Sequence, residues 1–231
     1  MVDPVPRSRR GGVALAAAAV MFLLYPAVRP WEDESTVVGA TAAMSSPAWV
    51  ASHLFAMVGF ILVPLGLLAL RGVLAGDRTG RVAAAGVVVF WVGAGLTLPY
   101  YGAEDFGLNA IARRAAGNPG VDLLGLVEAV RFGPAQITVF LLGLVLLAVG
   151  AVMVAVAVWS SGTLPRASGI LFALGFVMFL PQFFAPPALR IGHGVLLAAG
   201  LLWLAVILWR AATRLPTPAD ANGRGMKFAR P

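Results

Sequence analysis

Cysteine is absent from the 231 residues, which excludes disulfides, thiolate catalysis and cysteine-held metal or iron–sulfur centres. Charge is scarce as well. Only 12% of the residues are charged and 60% are hydrophobic, against about 25% charged in an average soluble domain. One core in a chain of this size cannot hide so much apolar surface, so its long charge-free runs read as lipid-facing helices. A closed barrel is the other way to satisfy every backbone group inside a bilayer. The runs here are continuous rather than alternating, which excludes it. No phosphate-cradling glycine loop and no Ser–His–Asp set stands out, which argues against ATP-driven work and triad hydrolysis. No ionisable residue falls in the middle of an expected span, as ion-coupled transporters and proton pumps require. Lysine is nearly missing, Lys227 being the only one. With the excess of Arg, Ala, Gly and Val, that usage is typical of a GC-rich bacterial genome and places the chain in a bacterial plasma (inner) membrane.

What is present is a set of six apolar runs, at 12–28, 48–70, 82–101, 135–159, 168–184 and 188–209, each close to the length of about 20 residues that a bilayer demands. The expectation is an all-α integral membrane protein, a six-transmembrane-helix bundle over 12–214. A basic N-terminus (1–11) precedes it, and a disordered basic tail (215–231) follows. Arg7, Arg9 and Arg10 before the first run also fit a signal peptide, but Tyr25, Pro26 and Arg29 follow it in place of a small-residue cleavage pattern. The run is read as a retained span.

Orientation follows from the loops. With both termini in the cytoplasm, Arg7, Arg9, Arg10, Arg71, Arg78, Arg81, Arg166, Arg210, Arg214, Arg224, Lys227 and Arg230 lie inside, and Arg29, Arg113, Arg114, Arg131 and Arg190 outside. That is 12 basic residues against 5, the positive-inside bias. It accounts for the net charge of +7 with the lipid bilayer as partner and no nucleic acid.

Glycines seven residues apart, Gly59 and Gly66, Gly86 and Gly93, Gly143 and Gly150, fall nearly two turns apart on one helix face. They predict close backbone packing, within the bundle or against another membrane subunit or a second copy. The outer segment 102–133 holds two amphipathic helices, 104–116 and 121–132, broken by Asn118, Pro119 and Gly120, with Asp122 placed to cap the second. Phe106, Leu108, Ile111, Leu124 and Val127 give them an apolar side suited to the membrane interface.

Histidine is the remaining scarcity, with two residues in the chain. His53 lies six residues after Pro47 and His193 six after Pro187, and each proline stands where an outer helix start favours one. A rise of about 1.5 Å per residue therefore puts both imidazoles roughly 9 Å along parallel helices. Glu104, Asp105, Gln136, Gln182 and Arg190 fall at similar depth and form the rim of a shallow outward-facing pocket. For the histidines alone, the plain reading is interfacial side chains satisfied near Trp49 and water. As a pair they suggest axial ligands of a b-type haem, the sharpest cofactor candidate. A two-histidine, one-carboxylate metal site with Glu104 or Asp105 is the next. Quinone, lipid or another small molecule completes the set. For Glu104 and Asp105 by themselves, a solvated helix start is the expectation, and for Arg190 a headgroup anchor. The leading reading is a multi-pass membrane protein that binds a small ligand. An accessory or scaffold subunit of a membrane complex is the alternative, and an enzyme using the outer rim a third.

Overall fold

The computed structural model describes residues 4–74 and 77–214. The tail expected over 215–231, with Arg224, Lys227 and Arg230, lies outside the described residues. The fold is all-helical, in the order α1 (Pro4–Val28), α2 (Val37–Met44), α3 (Pro47–Val73), α4 (Asp77–Gly102), a π-turn (Ala103–Gly107), α5 (Leu108–Ala116), α6 (Leu123–Phe132), α7 (Pro134–Ser160), a 3-10 turn (Arg166–Gly169), α8 (Ile170–Val177), a 3-10 turn (Pro181–Phe184) and α9 (Pro187–Arg214). Two of the starts have a plain local cause. Ser46 caps α3 by accepting from the Trp49 amide at 3.1 Å, with Pro47 in the first turn. Asp122 caps α6 through the Gly125 amide at 3.0 Å, as its position in the sequence suggests.

Five helical stretches are long and apolar enough to cross a membrane: Arg7–Val28, Pro47–Val73, Arg78–Ala116, Pro134–Ser160 and Pro187–Thr213. The sixth expected run, 168–184, is not one helix. Pro181 has no amide for the Val177 carbonyl, and its ring would collide with that carbonyl, so the α-helix ends at Val177. The broken stretch nevertheless runs back alongside its neighbours. A Cβ on Gly169 would stand 2.8 Å from Ala155 Cα near the end of α7, and one on Gly200 would stand 2.6 Å from the Phe172 amide nitrogen.

The six elements close into a ring in which α1 packs between α3 and α9, α3 meets α4, α4 lies along α7, and α8 bridges α7 to α9. Gly12 in α1 meets Ala205 of α9, and Gly194 near the start of α9 meets Phe22 and Pro26 of α1. The two helices are thus antiparallel, and residues 4 and 214 lie at the same end of the bundle. Phe22, Phe60, Phe90, Phe172, Phe176 and Phe179 fill the middle of the ring, with edge-to-face pairs such as Phe22–Phe60 at 5.1 Å and Phe90–Phe176 at 4.7 Å.

The glycine pairs act inside the bundle. A Cβ on Gly93 would stand 2.6 Å from the Leu147 nitrogen, and one on Gly150 would stand 2.5 Å from the Phe90 nitrogen. The α4 and α7 backbones therefore touch at these points.

The two helices expected over 104–116 and 121–132 are present as α5 and α6, but the first is not separate from α4. Helix α4 continues through the π-turn into α5 with no break near residue 102. Helices α2, α5 and α6 then enclose a second, smaller core of Ala40, Met44, Trp49, Leu108, Leu123 and Val127. Leu108 and Val127 face that core, while Phe106 is 57% exposed.

Candidate functional site

The segment joining α1 to α2 folds over the start of α3. Arg29, just past α1, stacks on Trp49 with its guanidinium carbon 4.6 Å from the ring centre, and on Trp31 at 5.2 Å. Trp49 is fully buried, and its indole N–H donates to the Glu104 carbonyl at 2.7 Å, tying α3 to the π-turn. Asp33 shapes the connecting turn by accepting from the Ser35 hydroxyl and amide, and these bonds hold its pKa below the ordinary carboxylate value.

A charged network lies beside this stack. Arg131 of α6 grips Glu104 with both ends of its fork, Nε to Oε1 at 2.6 Å and a terminal nitrogen to Oε2 at 2.9 Å. The same nitrogen donates to Glu34 at 2.8 Å. Glu34 also pairs with Arg29. Burial alone would lower the Arg131 pKa, but the carboxylates of Glu104 and Glu34 outweigh it and hold it above the ordinary guanidinium value. Breaking such a partly buried pair costs about 3–5 kcal/mol, because the surviving charge is stranded.

Under the network is a cavity of about 430 Å³, within the range of roughly 300–1,000 Å³ typical of small-molecule sites. Its deep end is made by His53, Tyr25 and Tyr101, all buried. Tyr101 donates to the Tyr25 hydroxyl at 3.4 Å. Along one wall Tyr100 and Phe140 stack at 3.9 Å. The mouth carries Phe132, Phe184 and Arg190. Phe132 is 63% and Phe184 87% exposed. Arg190 lies over Trp31 at 4.8 Å and Phe183 at 5.3 Å, and its Nε donates to Gln182 at 3.1 Å. It stacks on aromatic rings rather than standing free as a headgroup anchor.

Of the residues singled out from the sequence, His53, Glu104 and Arg190 line the cavity, whereas His193, Asp105, Gln136 and Gln182 do not. His53 is 2% exposed, not an interfacial side chain in water. Its Nδ1–H donates to the Trp49 carbonyl at 2.8 Å. A carbonyl only accepts, so the proton sits on Nδ1 and the lone pair on Nε2. His193 has a different task. Its Nε2–H donates to the Gly175 carbonyl at 2.7 Å. The Phe179 amide, which would reach that carbonyl in a continuing helix, turns to Phe176 instead. His193 thus caps the end of the broken α8 by taking up a carbonyl that the helix leaves free. Glu104 and Asp105 are 7% and 0% exposed, so neither is a solvated helix start. Both sit in the π-turn. The carboxyl oxygens of Asp105 are buried without a partner.

The haem and metal candidates can be tested on this geometry. Two axial imidazoles must approach one macrocycle, but the His193 ring lies edge-on to Phe179 at 5.3 Å, its Nε2 is engaged, and it does not line the cavity. The pair does not fit a shared haem. Among the described residues no group of three His, Asp or Glu side chains is placed to hold a metal ion. No protein-family model, characterised protein or solved structure matches the chain.

Arg29, Glu34, Arg131, Tyr25 and Tyr101 are site residues that reading the sequence misses. One signal was available. The segments expected on the outer side carry five arginines with seven acids, Glu32, Asp33, Glu34, Glu104, Asp105, Asp122 and Glu128. That mixture suits internal pairing, but the sequence gives no spacing rule that joins residues 29, 34, 104 and 131.

Proposed function

We propose that this is a six-crossing plasma-membrane protein, both ends cytoplasmic, that binds a small ligand in the pocket on its outer side. The cavity carries the reading: it combines buried polar groups at its closed end, an aromatic wall, and a mouth of phenylalanines with Arg190, beside an ion-pair network. The broken stretch 166–184 serves as the fifth crossing, which agrees with the common placement of residues 4 and 214. Arg9 stacks on Trp209 at 5.6 Å at that end, in keeping with a basic cytoplasmic face.

The scaffold alternative loses its main support, because the glycine faces that suggested partner contacts are spent between α4 and α7 and between α1 and α3. The test is to purify the full chain in mild detergent and identify co-purifying small molecules by native mass spectrometry. Ala185 lines the mouth and is partly exposed, so Ala185→Trp should fill the entrance without disturbing the core. A bound species lost in that variant supports the reading. A preparation with no bound species, and no gain on adding membrane lipid extract, overturns it.

A further inference from the structure

Resting on the ligand-binding reading above, we infer the chemical class of the ligand: the cavity is a quinol-selective site. It takes a hydroquinone ring with one hydroxyl at the closed end and its isoprenoid tail leading out through the mouth.

Three observations carry this. The first is charge. Arg131 and Arg29 are both already paired with Glu104 and Glu34, so the closed end holds no unpaired cation. An anionic head there would be buried without compensation. The head is therefore neutral.

The second is the hydrogen-bonding inventory. The proton on His53 Nδ1 is used by the Trp49 carbonyl, and Nε2 has no hydrogen-bond partner among the described residues. Tyr101 donates to Tyr25, which leaves the proton of Tyr25 itself undirected. The cavity thus presents one acceptor, His53 Nε2, beside the Tyr25 hydroxyl as donor, on rings whose centres are 5.8 Å apart, and the Nε–H of Arg29, buried without a partner, is a second donor in its lining. A single ligand oxygen that both accepts and donates satisfies His53 and Tyr25 together. A hydroxyl does this, but a carbonyl only accepts, and would leave His53 unpaired in a buried site.

The third is the exit. From Leu141 at the mouth, Val145, Val149, Val152 and Val156 form an exposed apolar stripe down α7. An isoprenoid chain leaving the cavity would lie on that stripe, and the stacked Tyr100 and Phe140 give the cavity one aromatic wall.

The proposal concerns binding alone and invokes no electron transfer. Its test uses the full chain in nanodiscs under anaerobic conditions, titrated by calorimetry with a decyl-substituted benzoquinol, the matching quinone, and decanoate. The quinol should bind about ten-fold more tightly than the quinone, a difference of about 1.4 kcal/mol, and decanoate should not bind. His53→Ala should erase the preference by weakening quinol alone. His53→Gln, whose amide carbonyl accepts, should restore part of it and controls for a folding defect. Tyr25→Phe should weaken both forms. Equal or tighter binding of the quinone overturns the proposal, as does decanoate binding that depends on Arg190. If Ala185→Trp expels a co-purified species but quinol does not bind, the pocket stands and the quinol assignment falls. If neither happens, both fall.

Discussion

Arg131 shows how one side chain can hold together parts of the chain that lie far apart. It reaches Glu104 in the π-turn and Glu34 between α1 and α2, and it lies 5.9 Å from the centre of Trp49, the ring on which Arg29 also stacks. Arg131→Met should lower thermal stability in detergent by about 3–5 kcal/mol, because Glu104 would remain charged and buried. Arg131→Met with Glu104→Gln should be milder than the single change, since no stranded charge is left. A double variant as unstable as the single one would show that packing, and not charge, sets the cost. At this scale the sequence is only partly readable. His53 and His193 share an offset from the proline that starts their helix. That offset does not fix their direction. His53 turns toward Tyr25 and Tyr101, while His193 turns to Gly175, because α1 lies between the helices that carry them. Which way a side chain turns about a helix depends on its neighbours, and those are absent from a linear pattern.

Among the elements, apolar runs and caps were legible because they are local. Five of the six expected crossings are single helical stretches, and Asp122 caps α6. The exceptions have tertiary causes. Pro99 lies inside α4 and the helix carries on, whereas Pro181 ends α8, so proline alone does not say which helix will stop. Helix α2 was missed because its eight residues, VVGATAAM, gain most of their stability from packing on α5 and α6. Glycine spacing was informative, and it supports a sharp comparison. Gly93→Ala would drive a methyl into the α7 backbone, 2.8 Å from the Gly143 carbonyl oxygen. The helices would have to separate, at a cost of about 1–3 kcal/mol or more. Gly95→Ala, two residues along the same helix, meets nothing within 4 Å and should leave the melting temperature unchanged or slightly raised. Equal effects of the two changes would mean that helix propensity, not contact between α4 and α7, governs this region.

For the molecule as a whole, the decisive question is whether the broken stretch crosses the bilayer. Residues 166–184 number nineteen, and at about 1.5–2 Å rise per residue they span roughly 30 Å, the thickness of the hydrocarbon core. The break is tolerable at that depth only if its freed backbone groups find partners within the protein. His193 supplies one to Gly175. The amide of Gln182 supplies another by donating to the Met178 carbonyl at 3.0 Å. A crossing here makes the total even and puts both ends of the chain on one side, which is what the distribution of basic residues requires. Reporters should therefore read as cytoplasmic when inserted at Gly162 or fused beyond Arg214, and as external when inserted at Asn118 or Pro186. Gly162 and Pro186 flank the broken stretch, so they are the informative pair. If both report the same side, residues 166–184 dip into the bilayer and return. The ring would then hold five true crossings, and α9 would have to run opposite to the direction its contacts with α1 demand.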